Sequence, residues 1–191
     1  MNTKTDSRER IVEAASNLFQ TQGFHATGLN EIIRESGSPK GSLYYYFPNG
    51  KEELGVAAVE FAGKSIQQKI KSGLGRQNAP ALAIKEVIQE IVHALEQNGK
   101  LKNTSLSLIA LETHLSSELL RTACSKSFSA LEEIYAEKLA ASGIPEKQAK
   151  ELGTVIQSLM EGAILLSVTH RDTTPLTDAA RQIQILIEHY S

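Results

Sequence analysis

The residues best suited to chemistry in this chain fall in one run, Ser38-Pro39-Lys40-Gly41-Ser42-Leu43-Tyr44-Tyr45-Tyr46-Phe47. Ser38 is a good N-cap and Pro39 a good first helical residue, so the run reads as a short helix from Pro39 to about Tyr46. On it Leu43, Tyr46 and Phe47, at i, i+3 and i+4, form the inward face, and Lys40, Gly41, Tyr44 and Tyr45 point outward. Three consecutive helical residues span about 200°, so a core cluster of all three tyrosines is geometrically impossible. An exposed tyrosine beside a phosphate offers a hydroxyl on an apolar ring that packs against sugar, and a lysine in the first turn adds a cation. Gly41 leaves room for the backbone to come close to a base. The implied chemistry is contact with nucleic acid. Thr27 and the amide of Gly28 open the preceding helix, where unpaired N–H groups and the helix dipole favour a phosphate, and Lys51 opens the following one.

The elements that hold these residues are legible from punctuation. Ile11, Ala14, Ala15, Leu18 and Phe19 recur at helical spacing after the capping candidates Asp6 and Ser7, and Gly23 stops them. A second helix starts after Thr27, buries Leu29, Ile32 and Ile33, and stops at Gly37. Two short helices joined by a turn at Gly37-Ser38, behind a longer first helix, make a helix-turn-helix whose second element belongs in a DNA major groove. A longer helix runs from Lys51 to the linker between Gly73 and Pro80, which marks a boundary along the chain. Beyond it Ile84, Val87, Ile88, Ile91, Val92 and Leu95 form a stripe that stops at Gly99, and further helices are expected at roughly 102–113, 116–141, 146–171 and 175–190.

The segments Thr27 to Gly37 (TGLNEIIRESG) and Ser38 to Leu54 (SPKGSLYYYFPNGKEEL) closely resemble the signature of TetR-type repressors. The resemblance covers about the first 55 residues. It implies an all-α protein of about nine helices, with a three-helix DNA-binding head in residues 1–50 and a helical ligand-binding and dimerisation body in residues 51–191. It also implies a homodimer whose heads read successive major grooves of pseudo-palindromic double-stranded operator DNA, about 34–36 Å apart. DNA contacts are expected at Thr27, Gly28, Ser38, Lys40, Gly41, Tyr44, Tyr45 and Lys51. FPNGKEEL carries one residue more between Phe47 and Lys51 than the commoner family pattern, a form similar to the LmrA/YxaF branch.

Composition sets the limits of this reading. At 191 residues and 41% hydrophobic, the chain has enough apolar surface to bury a core, and its wealth of Ala, Leu, Ile, Glu, Gln and Lys favours helix throughout. The net charge of −2 excludes a polycation that coats nucleic acid indiscriminately. Charge is slightly uneven, since residues 1–51 hold six Lys/Arg against five Asp/Glu and the remainder fourteen against seventeen. A single cysteine forbids an internal disulfide, and with no leader evident the chain reads as cytoplasmic. The longest apolar stretch, Met160 to Val168, is broken by Glu161 and Gly162, so no membrane span is expected. No nucleophile elbow, phosphate loop or metal spacing is present, so neither enzyme nor cofactor is expected. His93 and His114 lie too far apart in sequence for a spaced metal motif.

For the body the expectation is a mostly apolar cavity walled by helices from Phe61 to about Met160, entered by a small apolar or amphipathic effector that relieves repression. The candidates are Phe61, Thr104, Leu108, His114, Cys124, Phe128, Gln157, Met160 and Glu161. Glu161 is either a pocket carboxylate or the polar side of its helix, and Cys124, on the stripe Leu120, Cys124, Leu131, reads first as a small hydrophobe. Val155, Leu159, Ala163 and Leu166 make one late stripe, and Ala179, Ile183, Leu186 and Tyr190 another. These two helices are the candidate dimer interface, unless the stripes fill a monomer core. The helix from Lys51 would be the lever, because it leaves the head and enters the body. The rival reading is a helical ligand-binding or adaptor protein without DNA binding, and the outward set Lys40, Gly41, Tyr44 and Tyr45 argues against it.

Overall fold

Helix formers run almost unbroken between a few Gly and Pro stops, and the backbone follows that punctuation. A computed structural model describes residues 3–98 and 104–190. Among the described residues there are nine helices and no strand: α1 (Thr3–Gln22), α2 (Leu29–Ser36), α3 (Lys40–Tyr46), α4 (Lys51–Leu74), α5 (Pro80–Asn98), α6 (Ser107–Thr113), α7 (Glu118–Ala140), α8 (Glu146–His170) and α9 (Thr174–Tyr190). The all-α architecture is as expected.

Several ends differ from the sequence reading. The first helix begins at Thr3, ahead of Asp6 and Ser7, because no Gly or Pro interrupts that stretch. Pro39 is the N-cap of α3 and not its first turn, its extended backbone (φ −60°, ψ 140°) handing its carbonyl to Ser42 N–H at 2.9 Å. Helix α6 starts at Ser107, later than expected, after Ser105 Oγ has accepted the Ser107 N–H at 3.1 Å. The expected stop at Gly99 lies outside the described residues. Among the described residues one helix, α8, is long and apolar enough by length and composition to cross a bilayer, where the sequence predicts none. It is buried along Ala149, Leu152, Ile156 and Met160, a pattern that core helices also show.

The chain packs as two units. One comprises Met1–Ser65 with Ser105–Ser127, the other Ile66–Thr104 with Phe128–Ser191. In the first, α1 packs on α2, α3 and α6, and Ile11, Ala15, Phe19, Ile32, Leu43, Phe47 and Leu54 are all but sealed from solvent. Phe19 and Phe24 rings meet at 5.1 Å between centroids. In the second unit α9 packs on both α5 and α8, over a core that includes Ile84, Ile88, Leu131, Tyr135, Leu139, Ile156 and Ile183. There α8 lies so close to α7 that a Cβ on Gly153 would stand 2.5 Å from the carbonyl oxygen of Glu132.

Candidate nucleic-acid interface and ligand cavity

The helix-turn-helix depends on one left-handed residue. Gly37 (φ 59°, ψ 21°) ends α2, its N–H reaching back to Arg34 O at 3.3 Å, and a side chain there would be strained. Ser36 and Ser38 are buried around the turn, where Ser36 Oγ accepts the Ser38 N–H at 3.3 Å and Ser38 Oγ donates to the Ser36 carbonyl at 3.5 Å. The chain then enters α3 with the faces that the spacing predicts. Leu43 and Phe47 are sealed at 0% and 1% exposure, Tyr46 is half-buried, and Tyr44 and Tyr45 stand out at 48% and 71%. The Tyr45 ring meets Tyr46 edge-on at 5.0 Å, and the Arg8 guanidinium lies 5.5 Å from the Phe47 ring centre. Lys40 is exposed as well, and no neighbouring side chain crowds Gly41 or Gly28. An exposed lysine and pair of tyrosines on one side of a short helix can meet phosphates and base edges.

Two expected contacts sit differently. Thr27 is buried, and its hydroxyl donates to the Gly23 carbonyl at 2.7 Å, so it braces the α1–α2 turn, and Gly28 is the residue that faces solvent at the start of α2. Ser38, with its hydroxyl engaged, likewise shapes the turn. Lys51 is half-buried, its Nζ 4.6 Å over the Phe24 ring and 3.4 Å from the His25 carbonyl. Burial lowers its pKa, and the Glu112 carboxylate partly restores it.

The second unit holds a cavity of about 330 Å³. Its walls are chiefly Ile66, Ile70, Val87, Ile91, Leu131, Met160 and Ile164, with Lys69, Glu90, Thr104, Tyr135, Gln157 and Glu161 supplying polar atoms. That size and mixture suit a small, mostly apolar ligand held in register by a few polar contacts. Burial, reinforced by the charge of Glu161, pushes the Tyr135 phenol well above its ordinary range, so it remains a hydrogen-bond donor. Of the expected lining, the structure places Thr104, Gln157, Met160 and Glu161 on the wall. Phe61, Leu108 and His114 are exposed elsewhere, and Phe128 is half-buried off the wall. Cys124 is buried in the first unit, where desolvation raises its thiol to about 11. The sequence reading did not identify Tyr135, Lys69 or Glu90. Tyr135 one turn after Leu131 was the one available signal, an aromatic on an otherwise aliphatic stripe.

The late stripes also divide. Ala163, Ala179 and Ile183 are buried within this single chain, whereas Val155, Leu166 and Tyr190 are exposed and Leu159 and Leu186 half-exposed. Leu165, Val168 and Ile185 extend the exposed apolar surface.

Comparison with known proteins agrees with this architecture. Residues 11–58 match the family described as bacterial regulatory proteins, tetR family, and residues 80–182 match the transcriptional regulator LmrA/YxaF-like C-terminal domain. The chain is 46% identical to the HTH-type transcriptional regulator YxaF of Bacillus subtilis strain 168, over 98% of each chain. It is 43% identical to the HTH-type transcriptional regulator LmrA of the same organism, over 96% of this chain and 97% of that one. A TetR transcriptional regulator of Chloroflexus aurantiacus, solved by crystallography, superposes with a TM-score of 0.82 at 25% identity, over 98% of this chain and 97% of that one. With the helix-turn-helix, its outward Lys40, Tyr44 and Tyr45, and these matches along nearly its whole length, the chain belongs to the TetR family of DNA-binding helix-turn-helix transcriptional regulators, in the LmrA/YxaF-like branch.

Proposed function

We propose that this regulator is a repressor that occupies pseudo-palindromic operator DNA as a cytoplasmic homodimer and leaves it when a small apolar or amphipathic molecule fills the cavity. The observation that carries the reading is the outward set Lys40, Gly41, Tyr44 and Tyr45 on α3, opposite the sealed Leu43 and Phe47. Residues 1–50 serve DNA binding and 51–191 serve ligand binding and dimerisation. Gly28 and Lys51 meet backbone phosphates, while α3 enters the major groove. The protein carries out no catalysis of its own. The dimer forms through the exposed apolar residues of α8 and α9, Val155, Leu159, Leu166, Leu186 and Tyr190, as an intermolecular four-helix bundle.

Release requires the ligand to prefer a conformation of the body in which the two heads no longer match successive grooves, because a ligand with equal affinity for both conformations shifts nothing. Helix α4 is the natural lever, since it begins at Lys51 and carries Ile66, Lys69 and Ile70 to the cavity wall. The test is a salt-titrated binding assay with the DNA just upstream of the protein's own gene, beside scrambled DNA of equal length. Tight binding confined to the first, weakening as salt rises, is expected. Equal weak binding to both would count against an operator there.

A further inference from the structure

Glu112, on α6, reaches into the turn that joins α1 to α2. Its Oε2 accepts the backbone N–H of Phe24 and, at 3.4 Å, that of His25. Its own carbonyl oxygen lies 3.2 Å from His25 Nε2. Lys51 closes on the same turn, with Nζ donating to the His25 carbonyl at 3.4 Å and resting 4.6 Å over the Phe24 ring. The carboxylate of Glu112 favours the charged form of that ammonium against the desolvation that opposes it. Close by in sequence, Ser117 Oγ donates to the carboxylate of Glu52, tying the start of α7 to the start of α4 next to Lys51. The turn before Gly28 and the lysine at the start of α4 are therefore set by an acid that lies outside the helix-turn-helix segment.

We propose that Glu112 is a positioning residue for DNA: it fixes the α1–α2 turn and Lys51 in the geometry that meets backbone phosphates, without touching the DNA itself. The inference rests on the reading that Gly28 and Lys51 face phosphate. Its physical basis is that a carboxylate accepting backbone N–H groups makes charge-assisted bonds, stronger than those water would give the same amides. Without an acceptor oxygen at that place the Phe24 and His25 amides turn to solvent, and the His25 carbonyl and Phe24 ring that seat Lys51 shift with them.

The sign of the effect separates this role from plain electrostatics. Glu112 is a negative charge near a surface meant for phosphates, so charge alone predicts that deleting it tightens DNA binding. Positioning predicts the reverse. The experiment compares wild type, Glu112→Ala and Glu112→Gln for binding to a generic duplex at low salt and to the DNA upstream of the gene, with thermal unfolding and the NMR shifts of the Phe24 and His25 amides recorded alongside. Glu112→Ala is expected to bind both duplexes about fivefold or more weakly and to move both amides. Glu112→Gln keeps an acceptor oxygen and is expected to leave the amides near their wild-type shifts and binding within about twofold.

Equal or tighter binding by a folded Glu112→Ala overturns the proposal. So does loss of binding in a folded Glu112→Gln whose amides have not moved, and this second variant decides the matter if the first does not fold. A wild type that binds the generic duplex but does not prefer the upstream DNA would count against that operator, leaving the role of Glu112 to be read from the generic duplex. A wild type that binds neither duplex overturns both readings together.

Discussion

Gln157 donates a hydrogen bond from Nε2 to Oε1 of Glu161, 2.9 Å away and one turn along α8, and both residues line the cavity. The pair places a carboxylate in a mostly apolar wall, where its charge acts on anything bound beside it. Glu161→Gln retains a polar side chain of the same shape and removes the charge. It is expected to raise affinity for an anionic anilinonaphthalene sulfonate dye by about threefold or more, read by fluorescence titration. Ile91→Trp, which fills the space, is expected to abolish dye binding, and a titration that neither substitution alters would mean the dye binds elsewhere.

Lys40→Ala and Tyr44→Ala remove exposed side chains outside the core, so both variants are expected to unfold at the wild-type temperature. Their operator affinity is expected to fall by tenfold or more. For Lys40→Ala the slope of log affinity against log salt is expected to drop by about one, the signature of one lost phosphate contact. Wild-type operator affinity in both variants would show that α3 does not face the DNA.

Leu166 is 48% exposed on α8, among other exposed apolar residues. In the proposed dimer Leu166→Glu would bury a charge at a self-complementary interface, and sedimentation at micromolar concentration is expected to give a dimer for wild type and a monomer for the variant. A dimeric variant would place the interface on another face.

Gly153 faces the backbone of α7, which cannot step aside as a side chain can. Gly153→Val is expected to cost about 1–3 kcal/mol by forcing α8 off α7, seen as a lower midpoint in denaturant. An unchanged midpoint would mean that the two helices slide apart freely.

Cys124 gives the protein a pH dependence at the alkaline end. Its thiol titrates at about 11 in the folded chain against an ordinary value of 9.0, so the unfolded chain releases the proton first. The stabilisation is complete below the unfolded value and is lost as pH rises from about 9 towards 11. Over that window Cys124→Ala is expected to lose less stability than wild type in denaturant titrations, and parallel curves would remove the thiol from the account. The same burial makes the folded thiol slow to react with disulfide reagents near neutral pH.

The head was legible because its residues answer local questions. Gly37 must be left-handed, Pro39 must sit at a helix start, and Leu43 with Phe47 must share a face, so the sequence dictates which tyrosines point out. What was missed there lies off the local pattern. Thr27 looks like a free hydroxyl at a helix start until the Gly23 carbonyl folds back on it, and Glu112 is 88 residues away in sequence from the amide it holds.

The body resisted for a different reason. An apolar stripe says that a helix face is covered but not what covers it. Ala163 and Ile183 on one hand, and Val155 and Leu166 on the other, share the same spacings, yet the first two fill the chain's own core and the latter two remain outside. Gln157 and Glu161 were found because polar residues interrupt an apolar helix. Ile66 and Val87 line the cavity as ordinary members of a stripe, and no sequence signal separates the wall of a void from a packed core.

The two faces of α3 make separable demands. Leu43 and Phe47 fix how the helix is seated, while Lys40, Gly41, Tyr44 and Tyr45 bear no share of the core. Substitution at those four outward positions therefore carries little penalty to folding, so the seat of the helix and whatever its outer side meets can be altered independently of each other.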